Sequence, residues 1–139
     1  MLNLQSALVI AHVLADLAWI GGVVAAVHVS VDRSTDAKTA GQLALSVYKR
    51  IASMGFAVAF VTGSVRLVLT TGYYFKLTHF MHVKLTLAVA VIGLHHVIGA
   101  RIKRQASGID VKPGPTRSLA IALYVLTAGI VTVALLKPF

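Results

Sequence analysis

Four apolar stretches dominate the chain, near residues 4–30, 47–71, 78–105 and 116–136. A helix needs about 20 apolar residues to cross the hydrocarbon core of a bilayer, and each stretch is long enough. At that depth no water is present to pair with backbone N–H and C=O groups. Each stretch must therefore satisfy its own backbone, and an α-helix does so. This predicts an all-α fold, a bundle of four transmembrane helices forming one integral membrane domain over residues 1–139. Composition agrees: 58% of residues are hydrophobic and 12% charged, with a mean hydropathy of +0.85, unlike a soluble domain. The lead stretch has no Lys or Arg before it and is too long for a signal-peptide core, so it is expected to stay as a helix. There is no internal repeat, low-complexity tract or second domain.

Three features punctuate the helices: a polar stretch from Asp32 to Gln42, a turn around Gly72, and Pro113-Gly114-Pro115. Ser34, Thr35 and Asp36 are candidate N-caps for a short helix in the first loop. Small residues recur every four positions, as Ala18, Gly22 and Ala26 and as Gly55, Ala59 and Gly63. Such rows let membrane helices approach closely.

The formal charge is +9. A basic chain can signal nucleic acid, but here the cations gather between apolar segments. Arg33, Lys38, Lys49 and Arg50 flank the first loop. Arg101, Lys103, Arg104, Lys112 and Arg117 flank the third, and Lys76 and Lys137 lie on the opposite side. Cations placed this way meet anionic headgroups and set topology. The expected environment is the lipid bilayer of a cell inner membrane, with no nucleic-acid partner. Loops one and three are expected in the cytoplasm and both termini outside, in the periplasm or its equivalent. The chain has no cysteine, so disulfides and thiolate metal sites are excluded.

Six histidines remain: His12, His28, His79, His82, His95 and His96. An imidazole at membrane depth is costly without a partner. Several near paired helices point to a bound metal or cofactor, with haem as the first candidate. Helices one and three run the same way across the membrane. His12 and His82, each early in its helix, are therefore expected at matched depth as axial ligands. His28, His95 and His96 form a second candidate layer near the other surface, and His79 belongs to a loop or interface. His12 and His28 are sixteen residues apart and point about 160° from each other, which disfavours a simple two-haem ladder. His12, Asp16 and Trp19 share one helix face by their i, i+4, i+7 spacing. Arg66 and Lys84 fall at the same depth. Intramembrane charges usually face the bundle interior and pair, and two cations could hold carboxylates of a cofactor or substrate.

Several of these residues carry a resemblance. His12-x6-Trp19-x2-Gly22 resembles the first helix of the HemJ-type protoporphyrinogen oxidases, and Tyr48-Lys49-Arg50 leading to Gly63 resembles their second. Met81-His82-Val83-Lys84-Leu85 followed by Gly93-x-His95-His96, Gly99 and Arg101 resembles their third. The close on Lys137-Pro138-Phe139 is similar too. A wider CopD-like group shares the four-helix core more loosely. The resemblance implies a four-helix membrane protein that binds haem b and oxidises protoporphyrinogen IX to protoporphyrin IX. Its important positions fall on His12, Trp19, His82 and Lys84. The chain departs from the family in four places. Val27-His28 stands where the family has a Pro-Arg pair. Met54 replaces a proline, Lys112-Pro113 replaces an Asn-Glu pair, and Asp16 replaces an apolar residue.

Three functions follow as expectations. The first is an oxidoreductase passing electrons from a porphyrinogen to a quinone or the respiratory chain. In it His12 and His82 bind the metal, Arg66, Lys84 and Trp19 contact the cofactor, and Asp16 and Lys84 serve catalysis. Asp16 would relay the protons that leave with the electrons. The second is a non-enzymatic b-type cytochrome, as a stand-alone electron carrier or a small subunit of a larger membrane complex; a homo-oligomer is the other assembly expected. The third is CopD-like copper handling. It ranks low because Cu(I) favours sulfur ligands, and Met1, Met54 and Met81 are scattered.

Overall fold

A computed structural model describes residues 3–32, 34–76 and 80–136. His79, Arg33 and the Lys137-Pro138-Phe139 close lie outside the described residues. The elements are α1 (Leu4–Ser30), α2 (Ala37–Val47), a π-helical turn (Tyr48–Ala52), α3 (Ser53–Leu69), α4 (Thr71–Lys76), α5 (Phe80–Ala106) and α6 (Pro113–Leu136). Four helices have the length and apolarity to cross a membrane: α1, the α2–π–α3 unit, α5 and α6. The protein is an all-α, four-helix, multi-pass membrane bundle. Many large apolar side chains stay exposed along the helices, such as Leu17, Val68, Val89 and Leu135. In a bilayer that surface faces lipid.

The second span begins earlier than its apolar pattern suggests. Asp36 accepts hydrogen bonds from the backbone N–H groups of Lys38 and Thr39, both at 3.1 Å. That N-cap starts a helix at Ala37, inside the polar stretch read as loop. Lys38, Thr39, Gln42 and Ser46 line its exposed side, while Ala40, Gly41 and Ala44 are buried. The buried positions continue as Tyr48, Ala52, Gly55 and Ala59. Residues four apart drift by about 40° per step around an α-helix. The wider i→i+5 turn at Tyr48–Ala52 absorbs part of that drift and keeps one seam facing the bundle.

Gly72 lies within α4, and the break falls at Thr70 instead. Pro113 opens α6, where a missing N–H costs nothing, so the helix starts three residues before Thr116. Arg101 joins α5 to this start through Thr116 Oγ1 and the Lys112 carbonyl, both at 2.9 Å. Buried Gln105 donates to the carbonyls of Ser30 and Ala37, tying the α1–α2 corner to α5.

The glycines explain why α1 lies so close to the second span. A Cβ on Gly22 would sit 2.7 Å from the Ala52 backbone nitrogen, and one on Gly55 would strike the backbone of Trp19. Gly22, Ala26, Gly55 and Ala59 are buried here; Ala18 is exposed, and Ala15 takes its place in the contact. Burial is uneven along the bundle. The largest fully buried side chains, including Ile98, Ile102, Leu123 and Val23, lie toward the end with the α1–α2 and α5–α6 connections. We call this the basic end and the opposite one the termini end. Toward the termini end, α1 buries nothing before Ala15, α3 nothing after Ala59 and α6 nothing after Leu123. On α5, Phe80 and Met81 are covered beside α4, but nothing is buried again until Val91.

Candidate functional site

His12 lies in the loosely packed half and is held by α3. Its Nδ1 is 2.9 Å from the Ala59 carbonyl. A carbonyl only accepts, so Nδ1 carries the hydrogen. The same N–H lies 3.2 Å from Thr62 Oγ1, whose own hydroxyl donates to the Val58 carbonyl at 2.7 Å. Gly63 makes room for the ring: a Cβ there would come within 2.8 Å of His12 Cε1. The row of small residues on α3 thus ends in an imidazole seat.

This arrangement leaves Nε2 as the ring nitrogen not fastened to α3. It faces Asp16 Oδ2 one turn along α1, at 3.5 Å. A nitrogen lone pair and a carboxylate repel unless a proton or a cation lies between them. Lys84 on α5 lies within electrostatic range of Asp16 and of Arg66 on α3. Arg66 reaches Tyr74 Oη at 3.4 Å, but its buried Nε has no hydrogen-bond partner among the described residues. His12, Asp16, Arg66 and Lys84 are therefore brought to one neighbourhood by three helices. His82 lies at the start of α5 with an exposed ring, edge-on to Phe75 of α4 at 5.3 Å.

Trp19 belongs elsewhere. It is buried in the packed half, and its Nε1–H donates to His95 Nδ1 at 3.1 Å. An indole N–H only donates, so Nδ1 bears the lone pair and the hydrogen of the neutral ring sits on Nε2. Nε2 is 3.0 Å from Tyr48 Oη, and the Tyr48 hydroxyl donates to the His95 carbonyl at 2.9 Å. Every polar atom in this set is satisfied, which is what burial requires. A ring held this way offers no lone pair to a metal. Phe56 packs against both Trp19 and His95, with centroids 5.0 Å away in each case. Gly99 leaves the space that the Tyr48 hydroxyl occupies.

The three histidines expected as a second layer face three directions. His95 is in the core. His28 is exposed and borders a cleft between α1 and α6 with Asp32 and Arg117. His96 borders a different cavity, between the π turn and α5. Among the described residues, no group of three or more His, Cys, Asp or Glu side chains comes together.

Sequence reasoning did not single out Thr62, Tyr74 or Phe56, and marked Ala59 only as a small packing residue. A backbone carbonyl as partner leaves no mark in sequence, and neither does a ring contact between helices. The Tyr48–His95 pair spans 47 residues and Trp19–His95 spans 76, beyond the reach of any helical period. No family model matches the chain, and no curated protein or solved structure matches it either.

Proposed function

We propose that the protein is a haem b-binding redox protein of the membrane, similar to the HemJ-type enzymes, that oxidises protoporphyrinogen IX to protoporphyrin IX. The reading is carried by the seat of His12. A metal-bound histidine almost always donates its other N–H to a carbonyl or carboxylate, and His12 donates Nδ1–H to the Ala59 carbonyl. Its Nε2 is then the coordinating atom. The residues around it fit an anionic macrocycle: the half of the bundle near His12 has little core of its own, and Arg66 Nε has no partner among the described residues.

In this proposal His12 and His82 hold the iron, and Arg66 and Lys84 pair with propionates or with substrate carboxylates. Bound haem supplies a one-electron carrier between substrate and a quinone or the respiratory chain. Asp16, beside His12, accepts protons released as the porphyrinogen loses electrons. The charge asymmetry supports an inner-membrane orientation with the basic end in the cytoplasm and both termini outside.

Two measurements test the proposal. The purified protein should show a reducible haem spectrum that His12→Ala abolishes and His82→Ala alters. An unchanged spectrum in both variants rejects the site, and a colourless wild type rejects haem. Expression should restore growth to a strain lacking protoporphyrinogen oxidase. Haem without rescue would instead favour a b-type electron carrier.

A further inference from the structure

The cavity beside His96 has its own chemistry. It is an open groove of about 270 Å³ between the π turn and α5, bordered by Lys49, Ser53, His96 and Lys103 over apolar walls that include Leu45 and Ala100. The π turn begins at Tyr48, beside Lys49, and Gly99 admits the Tyr48 ring. Wide turns of this kind recur at binding sites.

Among the described residues, the cations here have no acidic counterpart within ion-pair distance. The sequence holds four acidic residues, Asp16, Asp32, Asp36 and Asp110. Asp32 accepts from Ser34, and Asp36 caps α2. The one ion pair among the described residues is His12–Asp16, so none of their carboxylates lies within 4 Å of Lys49 or Lys103. Arg50 and Arg104 stand next to them in sequence and add to the positive field. A cavity with two lysines, a histidine and a hydroxyl at its rim, apolar walls, and a position at the end of a transmembrane bundle suits a particular ligand. That ligand has an anionic phosphate head and an acyl tail.

We infer that this cavity binds the headgroup of an anionic phospholipid, with Lys49, Lys103 and His96 on the phosphate and the acyl chains along the α2 and α5 surfaces. The site is separate from the His12 neighbourhood and does not depend on haem. Its role would be to fix the bundle's seat in an acidic leaflet.

Native mass spectrometry of the full-length protein in detergent tests this. The protein is titrated in parallel with dioleoylphosphatidylglycerol and dioleoylphosphatidylcholine. Phosphatidylglycerol should be retained in clear preference. Lys49→Gln and Lys103→Gln should each weaken it about fivefold, and together they should remove the preference. Ala100→Leu keeps every charge but fills the cavity, and should weaken binding as well, so the test survives if the charge variants misfold. Lys112→Gln with Arg117→Gln, at the same end but outside the cavity, should leave the preference intact. Equal retention of the two lipids would overturn the proposal. So would an equal loss in the Lys112/Arg117 variant, which would signify diffuse surface charge. Displacement of the lipid by millimolar inorganic phosphate would identify a free-anion site and overturn the lipid assignment.

Discussion

The two ends of this bundle use histidine in opposite ways. At the packed end, His95 is enclosed by Trp19, Tyr48 and Phe56 and both ring nitrogens are spent. At the loosely packed end, His12 has one nitrogen fastened to a carbonyl and the other facing a carboxylate. The same side chain is a structural pin in one place and, in the other, a ring with one nitrogen turned to an ionisable neighbour. The difference lies in how many partners the neighbouring helices provide. A titratable ring with every polar atom satisfied stabilises a fold, whereas one left with an available lone pair invites chemistry.

Exchanging the two roles by mutation should separate them cleanly. His12→Ala is expected to abolish the haem spectrum with a smaller loss of stability than at His95, because its side chain keeps 18% exposure and lies in the loosely packed half. His95→Ala should do the reverse. It leaves the Trp19 N–H and a Tyr48 acceptor site buried without their partner, at a cost of about 2–6 kcal/mol, read by unfolding in mixed micelles. Haem loss in His95→Ala without destabilisation would erase the contrast.

The glycines give the next largest effect. Gly55→Ala drives a methyl into the Trp19 backbone, which cannot rotate away, and should cost about 1–3 kcal/mol or more. Gly21→Ala meets nothing within 4 Å and should be neutral or slightly stabilising. Gly63→Ala falls between them: it should spare the fold but unseat the His12 ring and weaken haem retention. Comparing melting curves with haem content across the three checks this.

Arg66→Gln probes the charge of the loosely packed end. Loss of a charge-assisted contact to a propionate should weaken haem binding by about tenfold or more, measured by transfer of haem to an apo-globin acceptor. The melting curve should barely move, since among the described residues the Arg66 guanidinium makes one long hydrogen bond, to Tyr74 at 3.4 Å.

The smallest effect concerns Asp36, the N-cap at the basic end. Hydrogen bonds from Thr39, then Lys38, hold its carboxyl below the ordinary aspartate value of 3.8. A folded-state value lowered in this way stabilises at neutral pH, and the contribution is lost as pH falls below about 4, through the folded value. Asp36→Asn keeps the cap but should flatten that acid limb slightly in a pH series of melts.

Much of this was legible in the chain. Four apolar runs gave four spans, and Asp36 was among the caps expected. The rows of small residues marked the α1–α3 contact, apart from exposed Ala18. Asp16 was expected beside His12 from i, i+4 spacing, and Arg66 and Lys84 from depth, and the three lie in one neighbourhood with it. The extension of the second span back to Ala37 was not legible. Polar residues such as Lys38 and Gln42 hid that the short helix expected in the first loop, whose other face is Ala40, Gly41 and Ala44, runs on into the span. Trp19 shares a helix face with His12, yet it is two turns deeper and serves the packed end.

The sequence by itself determined the number of membrane-spanning helices and roughly where each lies, because hydrocarbon forces each apolar run to satisfy its own backbone. It also determined where charge gathers. Only the tertiary structure decided which histidines have a nitrogen to spare. That depends on groups 47 to 76 residues away in the chain: a carbonyl on α3, a tyrosine in a π turn, an indole on α1. Hydropathy and helical period act over a few turns, and a hydrogen bond between helices obeys neither.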